Sequence, residues 1–223
     1  MTSCLLISGL ARHVEISYDN ILKNIIEPNK PDVFIHTWLD TDINPGLDST
    51  ILNLYKPKKI VMEKGLSFNN TNLNMDRMMA SYAKPYVRNS FVETFYSAWY
   101  SVQQSNIIKE QHRLENNLVY DYCIRARFDI NYSIPIICEN YDKNIIHLSN
   151  RDLPAEMIDD RFAFASNSIM NTYCSNFNFI DFIHEMKDKK DGIFCGETIV
   201  YEMCKMHNIK YSKIGNLHCS HVR

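Results

Sequence analysis

Glycine is scarce in this sequence, with six residues in 223, at positions 9, 46, 65, 192, 196 and 215. None of them builds G-x-G-x-x-G behind a strand or G-x-x-x-x-G-K-[ST], and no G-x-S-x-G occurs. The dinucleotide fingerprint, the P-loop and the nucleophile elbow are therefore excluded, and with them the commonest α/β enzyme classes. A nucleotide bound here needs its phosphate charge met by a metal or by arginine. No C-x-x-C pair links the seven cysteines, at 4, 123, 138, 174, 195, 204 and 219. An odd, dispersed set reads as reduced thiols, not as a disulfide framework or a zinc finger. No apolar run approaches the ~20 residues of a spanning helix. The opening "CLLISGL" lacks both the basic lead-in and the length of a signal sequence. An excess of one charge is missing too: the formal net charge of −2 gives no general pull toward nucleic acid or anionic lipid. These absences predict a soluble, cytoplasmic protein with no nucleic-acid partner and no membrane span. The sequons at Asn69 and Asn131 are read as chance.

What is present is an ordinary globular mix, 45% hydrophobic and 22% charged. "SCLLIS" (3–8) has strand length, and Val14, Tyr18, Ile21, Leu22, Ile25 and Ile26 then repeat at helical spacing. Pro28 and Pro31 break that helix before the strand "DVFIHTWL" (32–39). Strand, helix, strand at this spacing is a βαβ unit with parallel pairing. A short helix at 48–55 and a strand at 58–63 follow, then an Asn-rich segment (64–74) read as a mobile surface loop. The longest helix is placed at 88–114, with Phe91, Phe95, Ala98, Trp99 and Val102 as its buried stripe. Beyond it lie strand-like runs at 120–132, "IPII", 144–149 and 161–166, and helices at 167–186 and 196–207. The pattern predicts one α/β domain over 1–223, its sheet mixed but mostly parallel and flanked by helices.

One stretch carries more than a strand needs. In "YDYCIRARFDINY" (120–132), Tyr122, Ile124, Ala126, Phe128 and Ile130 alternate with Arg125, Arg127, Asp129 and Asn131. Hard oxygen donors two residues apart on an extended chain can share one Mg²⁺ or Mn²⁺, and the arginines can engage phosphate. The competing reading is a salt-bridged ladder on a solvent face.

Four stretches, "LLISGLARHVE", "DVFIHTWLD", "YDYCIRARFDI" and "DDRFAFASNSIMNTY", resemble the GT-A glycosyltransferases. The likeness is to the small nucleotide-sugar enzymes of large DNA viruses and bacterial polysaccharide loci, and it spans about residues 4 to 210. It implies a GT-A-like, Rossmann-like domain that moves a sugar from a UDP-sugar to a glycan or glycoprotein hydroxyl, with inversion. The nucleotide would be bound by Gly9 and Arg12 in the first β–α turn, and by Arg125, Arg127 and Asp129. Divalent metal, Mn²⁺ or Mg²⁺, would sit on Asp129 and Asn131, although asparagine stands where the family's D-x-D ends in aspartate. The later Asp-led strand approaches the acceptor in that family, which matches Asp160.

Inverting transfer needs a carboxylate base for the acceptor hydroxyl. Asp160 is the first choice, with Glu197 and Asp159 behind it. A glutamate in a first helical turn is also a common dipole partner, and paired acids in loops are often only solvated. "HCSH" (218–221) reads either as a further metal ligand or as a loose tail, and His36 as a core histidine or a pocket border. Two other functions stay open. One is a noncatalytic GT-A-like module that binds a glycan or partner. The other is a metal-dependent phosphodiesterase or nucleotidyltransferase, which needs three converging carboxylates.

Overall fold

The apolar opening run forms strand β1, Ser3–Leu10, in a computed structural model that describes residues 2–40, 42–68, 90–188 and 194–222. Helix α1 (Val14–Ile21) follows, runs on through a π-helical turn at Leu22–Ile26 and closes on Glu27–Asn29. Lys30 stops it in left-handed backbone at φ 46°. Strand β2 (Asp32–Trp38), helix α2 (Leu47–Tyr55) and strand β3 (Lys59–Glu63) come next. β1 pairs with β2 and β2 with β3, both parallel, which is the expected βαβ arrangement. Helix α3 (Ser90–Glu115) crosses back, and β4 (Tyr122–Ala126) lies beside β1, again parallel.

The second half adds β5 (Ile130–Tyr132), β6 (Ile146–Ser149), β7 (Ala163–Ala165), β8 (Tyr211–Ile214) and β9 (Cys219–His221). Its helices are α4 (Asn167–Cys174), α5 (Ile180–Asp188) and α6 (Gly196–Met206). The seven-stranded sheet runs β3-β2-β1-β4-β7-β6-β8, with only β7 antiparallel to its neighbours. This is a mixed, mostly parallel α/β sheet flanked by helices. The order reverses between β1 and β4. That is a topological switch point, where ligands of open α/β sheets bind beyond the carboxyl ends of the strands.

Period-two alternation sorts the core into two layers. Cys4 and Leu6 of β1 pack with Trp99 and Val102 of α3, while Leu5 and Ile7 pack with Val14, Ile21 and Ile25 on the opposite face. Strands buried on both faces read as continuous apolar runs for this reason. Lys109 of α3 is buried, and its ammonium donates to Glu110 (2.6 Å), Asn167 (2.5 Å) and Asn171 (2.7 Å). All three donors are thus used, and α3 is tied to α4. All seven cysteines are buried and free, as their apolar surroundings imply.

Several expectations change. The middle strand is not continuous: it ends at Ala126, turns through Arg127–Asp129, and restarts as β5, which pairs antiparallel with β9. Its apolar row nevertheless stays on one core, from Tyr122 to Tyr132. "IPII" forms no strand. Ile136 is buried there, its N–H bonded to Asn24 O at 2.8 Å, while Pro135 has no ladder donor to offer. The helix placed at 167–186 is interrupted by a 3₁₀ segment at Ser175–Phe179. Cys219–His221 of the C-terminal "HCSH" form strand β9, not a loose tail. Residues 69–74 of the Asn-rich segment, residues 88 and 89, and the side chains of Phe91 and Phe95 lie outside the described set.

Candidate functional site

A cleft of about 480 Å³ opens at the switch point. Its walls include Gly9 near the end of β1, Trp38 at the end of β2, Leu66 after β3, and Arg12, Arg125 and Arg127. Among the described residues, three guanidinium groups and no carboxylate line it.

Gly9 has φ 110°, backbone that a side chain rarely adopts. Its N–H donates to Ser101 Oγ at 2.7 Å, and its carbonyl accepts from Thr37 Oγ1 at 2.8 Å. Behind it, Ser101 Oγ lies 2.8 Å from His36 Nδ1, and His36 Nε2 lies 3.0 Å from Glu63 Oε2. His36 is fully buried, and burial lowers its pKa despite the opposing pull of Glu63. Neutral His36 donates from Nε2 to Glu63 and accepts from Ser101 at Nδ1, so the chain from Gly9 to Glu63 has consistent direction. His36 therefore sits in the core and supports the floor of the cleft from behind. The Trp38 ring stacks on Tyr100 at 5.5 Å and packs edge-on to His36 at 5.1 Å, and its indole N–H donates to Ser97 O at 3.1 Å.

The arginines differ. Arg12 is exposed, and its side chain has no partner among the described residues. Arg125 is only 4% exposed; Nη1 donates to the main-chain carbonyl of Asp160, and Nε is buried without a partner. Arg127 forms a two-pronged pair with Asp129, Nε to Oδ1 and Nη2 to Oδ2, each at 2.8 Å.

Asp129 is 8% exposed and lies outside the cleft lining, behind Arg127. Burial would raise its pKa, but the hydrogen bonds and charge of Arg127 bring it below the usual carboxylate value. Its carbonyl accepts from Val222 N at 3.0 Å, which ties this turn to β9. His221 Nδ1 is 3.8 Å from Asp129 Oδ2. The amide oxygen of Asn131 is shut from solvent and accepts no hydrogen bond. These residues do not fit a divalent cation. Both oxygens of the one carboxylate are already taken by a guanidinium, and two further arginines line the adjoining cleft. Among the described residues no group of three His, Cys, Asp or Glu side chains converges on one point.

Asp160 lies outside the lining too, beside Arg125. It is half-buried, and its carbonyl accepts from Arg125 Nη1 and from Tyr173 OH at 3.3 Å. Its carboxylate accepts no hydrogen bond among the described residues and rests against the first turn of α6. A Cβ at Gly196 would stand 2.5 Å from Asp160 Oδ2. Burial, then the charge of Glu197, raise the pKa of Asp160 against the opposing charges of Arg125 and Arg127. Glu197 pairs with Arg151 at 2.8 Å. Asp159 is a structural acid: Arg161 grips both its oxygens, and Ser149 Oγ donates to it at 2.6 Å.

The structure thus gathers Gly9, Arg12, Arg125 and Arg127 at one cleft, with Asp129 and Asp160 each joined to it through an arginine. Trp38, Ser101 and Gly196 were missed from sequence. Trp38 was within reach, because it ends β2 and the carboxyl ends of parallel strands line such clefts. Ser101 reads as one more polar residue on a long helix, and Gly196 only as a helix start.

No family model matches the chain, and no curated protein does. Among solved structures, mouse xyloside xylosyltransferase 1 in its apo form is similar over 96% of this chain and 84% of that one. The two share 10% identity with a TM-score of 0.48, a likeness too slight to carry an argument about activity.

Proposed function

We propose that the protein is a glycosyltransferase that takes a sugar from a nucleoside diphosphate, UDP in the first place. It delivers that sugar to a hydroxyl of a glycan or glycoprotein with inversion. The observation that carries this reading is Arg125. A guanidinium that is 4% exposed, bonded to one carbonyl and left with an unpartnered Nε is a buried charge with no direct ion pair among the described residues, although Asp160 lies within its field. It lines a cleft at the switch point together with Arg12 and Arg127, and a diphosphate supplies the missing charge in the geometry that arginine favours. The leaving diphosphate gains negative charge as the glycosidic bond breaks, so the same groups favour the transition state. Asp160 is the base: its raised pKa keeps it closer to the operating pH than an ordinary aspartate, which suits proton removal from an acceptor hydroxyl.

UDP at about a hundred times its Kd should stabilise the protein by ~2.7 kcal/mol in thermal unfolding. Arg125→Gln should keep most of the stability of the free protein, because it removes a buried charge that has no direct ion pair, and should lose the UDP-dependent shift. An unaltered shift in that variant sinks the reading. One observation favours a second reading, a sugar-nucleotide-binding module without catalysis: neither Asp160 nor Glu197 lines the cleft. That module would bind UDP yet release none from UDP-sugars when an acceptor is offered.

A further inference from the structure

We propose that this cleft binds its diphosphate without a divalent cation, with the Arg127 guanidinium, held by Asp129, in the cation's place. The inference rests on the proposed binding of a nucleoside diphosphate and adds what neutralises it. Asp129 is the single carboxylate in the turn after β4 among the described residues, and it spends both oxygens on Arg127 at 2.8 Å each. A metal ion there would have to displace a two-pronged, charge-assisted pair. It would also have to settle beside Arg12 and Arg125, two further positive groups. The only other oxygen of the expected motif, Asn131 Oδ1, is closed to solvent.

The same geometry suits anion binding without metal. With Nε and Nη2 of Arg127 engaged by Asp129, the Nη1 donors are left over, and the residue lines the cleft. Asp129 is in turn fixed through its carbonyl to Val222, the residue after β9, at 3.0 Å, and the Phe128 beside it is buried. Asp129 is thus a positioning residue that fixes the plane of Arg127, not a ligand of the substrate. Three guanidiniums around one cleft provide the charge that a metal would bring.

Isothermal titration of the native protein with UDP and with inorganic pyrophosphate, in EDTA and again in Mn²⁺, tests this. Affinities agreeing within about threefold between the two buffers, with no heat from Mn²⁺ alone, are expected. Arg127→Gln should weaken both ligands by about a hundredfold in EDTA, as loss of a charge-assisted contact to phosphate does. Binding that requires Mn²⁺ overturns the inference and leaves the glycosyltransferase reading intact. Binding in EDTA that survives Arg127→Gln within threefold overturns it as well. If neither ligand binds in either buffer, the inference and the function it rests on fall together.

Discussion

Asp129 and Asp160 both lie within the field of Arg127, yet their surroundings push them in opposite directions. Asp129 gives each oxygen to a guanidinium nitrogen at 2.8 Å, and its pKa falls. Asp160 has only its main-chain carbonyl engaged by arginine; among the described residues its carboxylate, beside Gly196 and near Glu197, accepts no hydrogen bond, and its pKa rises. Two identical side chains driven apart by environment are a mark of divided roles. On the function proposed above, one orients the Arg127 guanidinium and the other takes the acceptor's proton. A carboxylate locked in an ion pair makes a poor base, and an unpaired one is a poor anchor.

The largest effect that tests this division is on catalysis. Asp160→Asn should lower the rate of UDP release from a UDP-sugar with acceptor by about 10²–10⁴-fold, the usual worth of a general base. UDP affinity should be unchanged within about threefold. A rate within twofold of native would pass the role to Glu197 and erase the contrast.

Stability reverses the ranking. Asp129→Asn strands the Arg127 guanidinium in a mostly buried site, and breaking a buried pair from one side costs about 3 kcal/mol or more. Asp160→Asn removes a half-buried charge that accepts no hydrogen bond among the described residues, so its stability should equal or exceed native. Urea denaturation of both variants measures the difference. Equal losses would mean that Asp160 is a structural acid like Asp159.

How much of this could be read in the sequence follows from how local the causes are. The βαβ opening was legible because apolar runs and helical spacing act within a few residues. The break expected at Pro28 does not occur, since the helix runs through Pro28 and ends at Lys30. Arg125 and Arg127 could be placed by period-two alternation, since the same row of apolar partners stays on one core from Tyr122 to Tyr132. The end of β4 could not. The chain turns there because Arg127 folds onto Asp129 and because β5 pairs with Cys219–His221, a partner some ninety residues on. The interruption at Ser175–Phe179 was half-legible, since "SNFNF" offers Ser and Asn side chains that compete for backbone partners. The contact between Asp160 and Gly196 was invisible. It joins a loop to a helix start, and nothing in either segment announces the other.

That contact gives a smaller, sharper test. Gly196 leaves room for Asp160 Oδ2, and a methyl group there would stand 2.5 Å from it. The atom that must yield is the end of a flexible side chain, so Gly196→Ala should fold with nearly native stability while moving the carboxylate. A displacement of this size near a reacting group lowers the rate by roughly ten- to a hundredfold. UDP binding, carried by the arginines, should not respond. Native activity in this variant would show that the carboxylate need not stand where it does.

The smallest effect is a pair of opposite slopes in stability against pH. Asp129 has a folded pKa below its unfolded value of 3.8, so the unfolded chain binds more protons in that window. The stability it provides is complete above the unfolded value and is lost as pH falls toward the folded one. Asp160 has a folded pKa above 3.8, so the folded protein holds the extra proton. Its contribution is unfavourable at neutral pH and is relieved as pH falls through the folded pKa. Relative to native protein, Asp129→Asn should therefore lose stability that is fully missing at neutral pH and shrinks on acidification. Asp160→Asn should instead gain stability at neutral pH, a gain that also fades on acidification. Each group contributes at most about 1.4 kcal/mol per pH unit, so the two difference curves must be measured against the same native reference. Curves of the same sign would mean that the two carboxylates share one environment, and the division of labour between them would have to be given up.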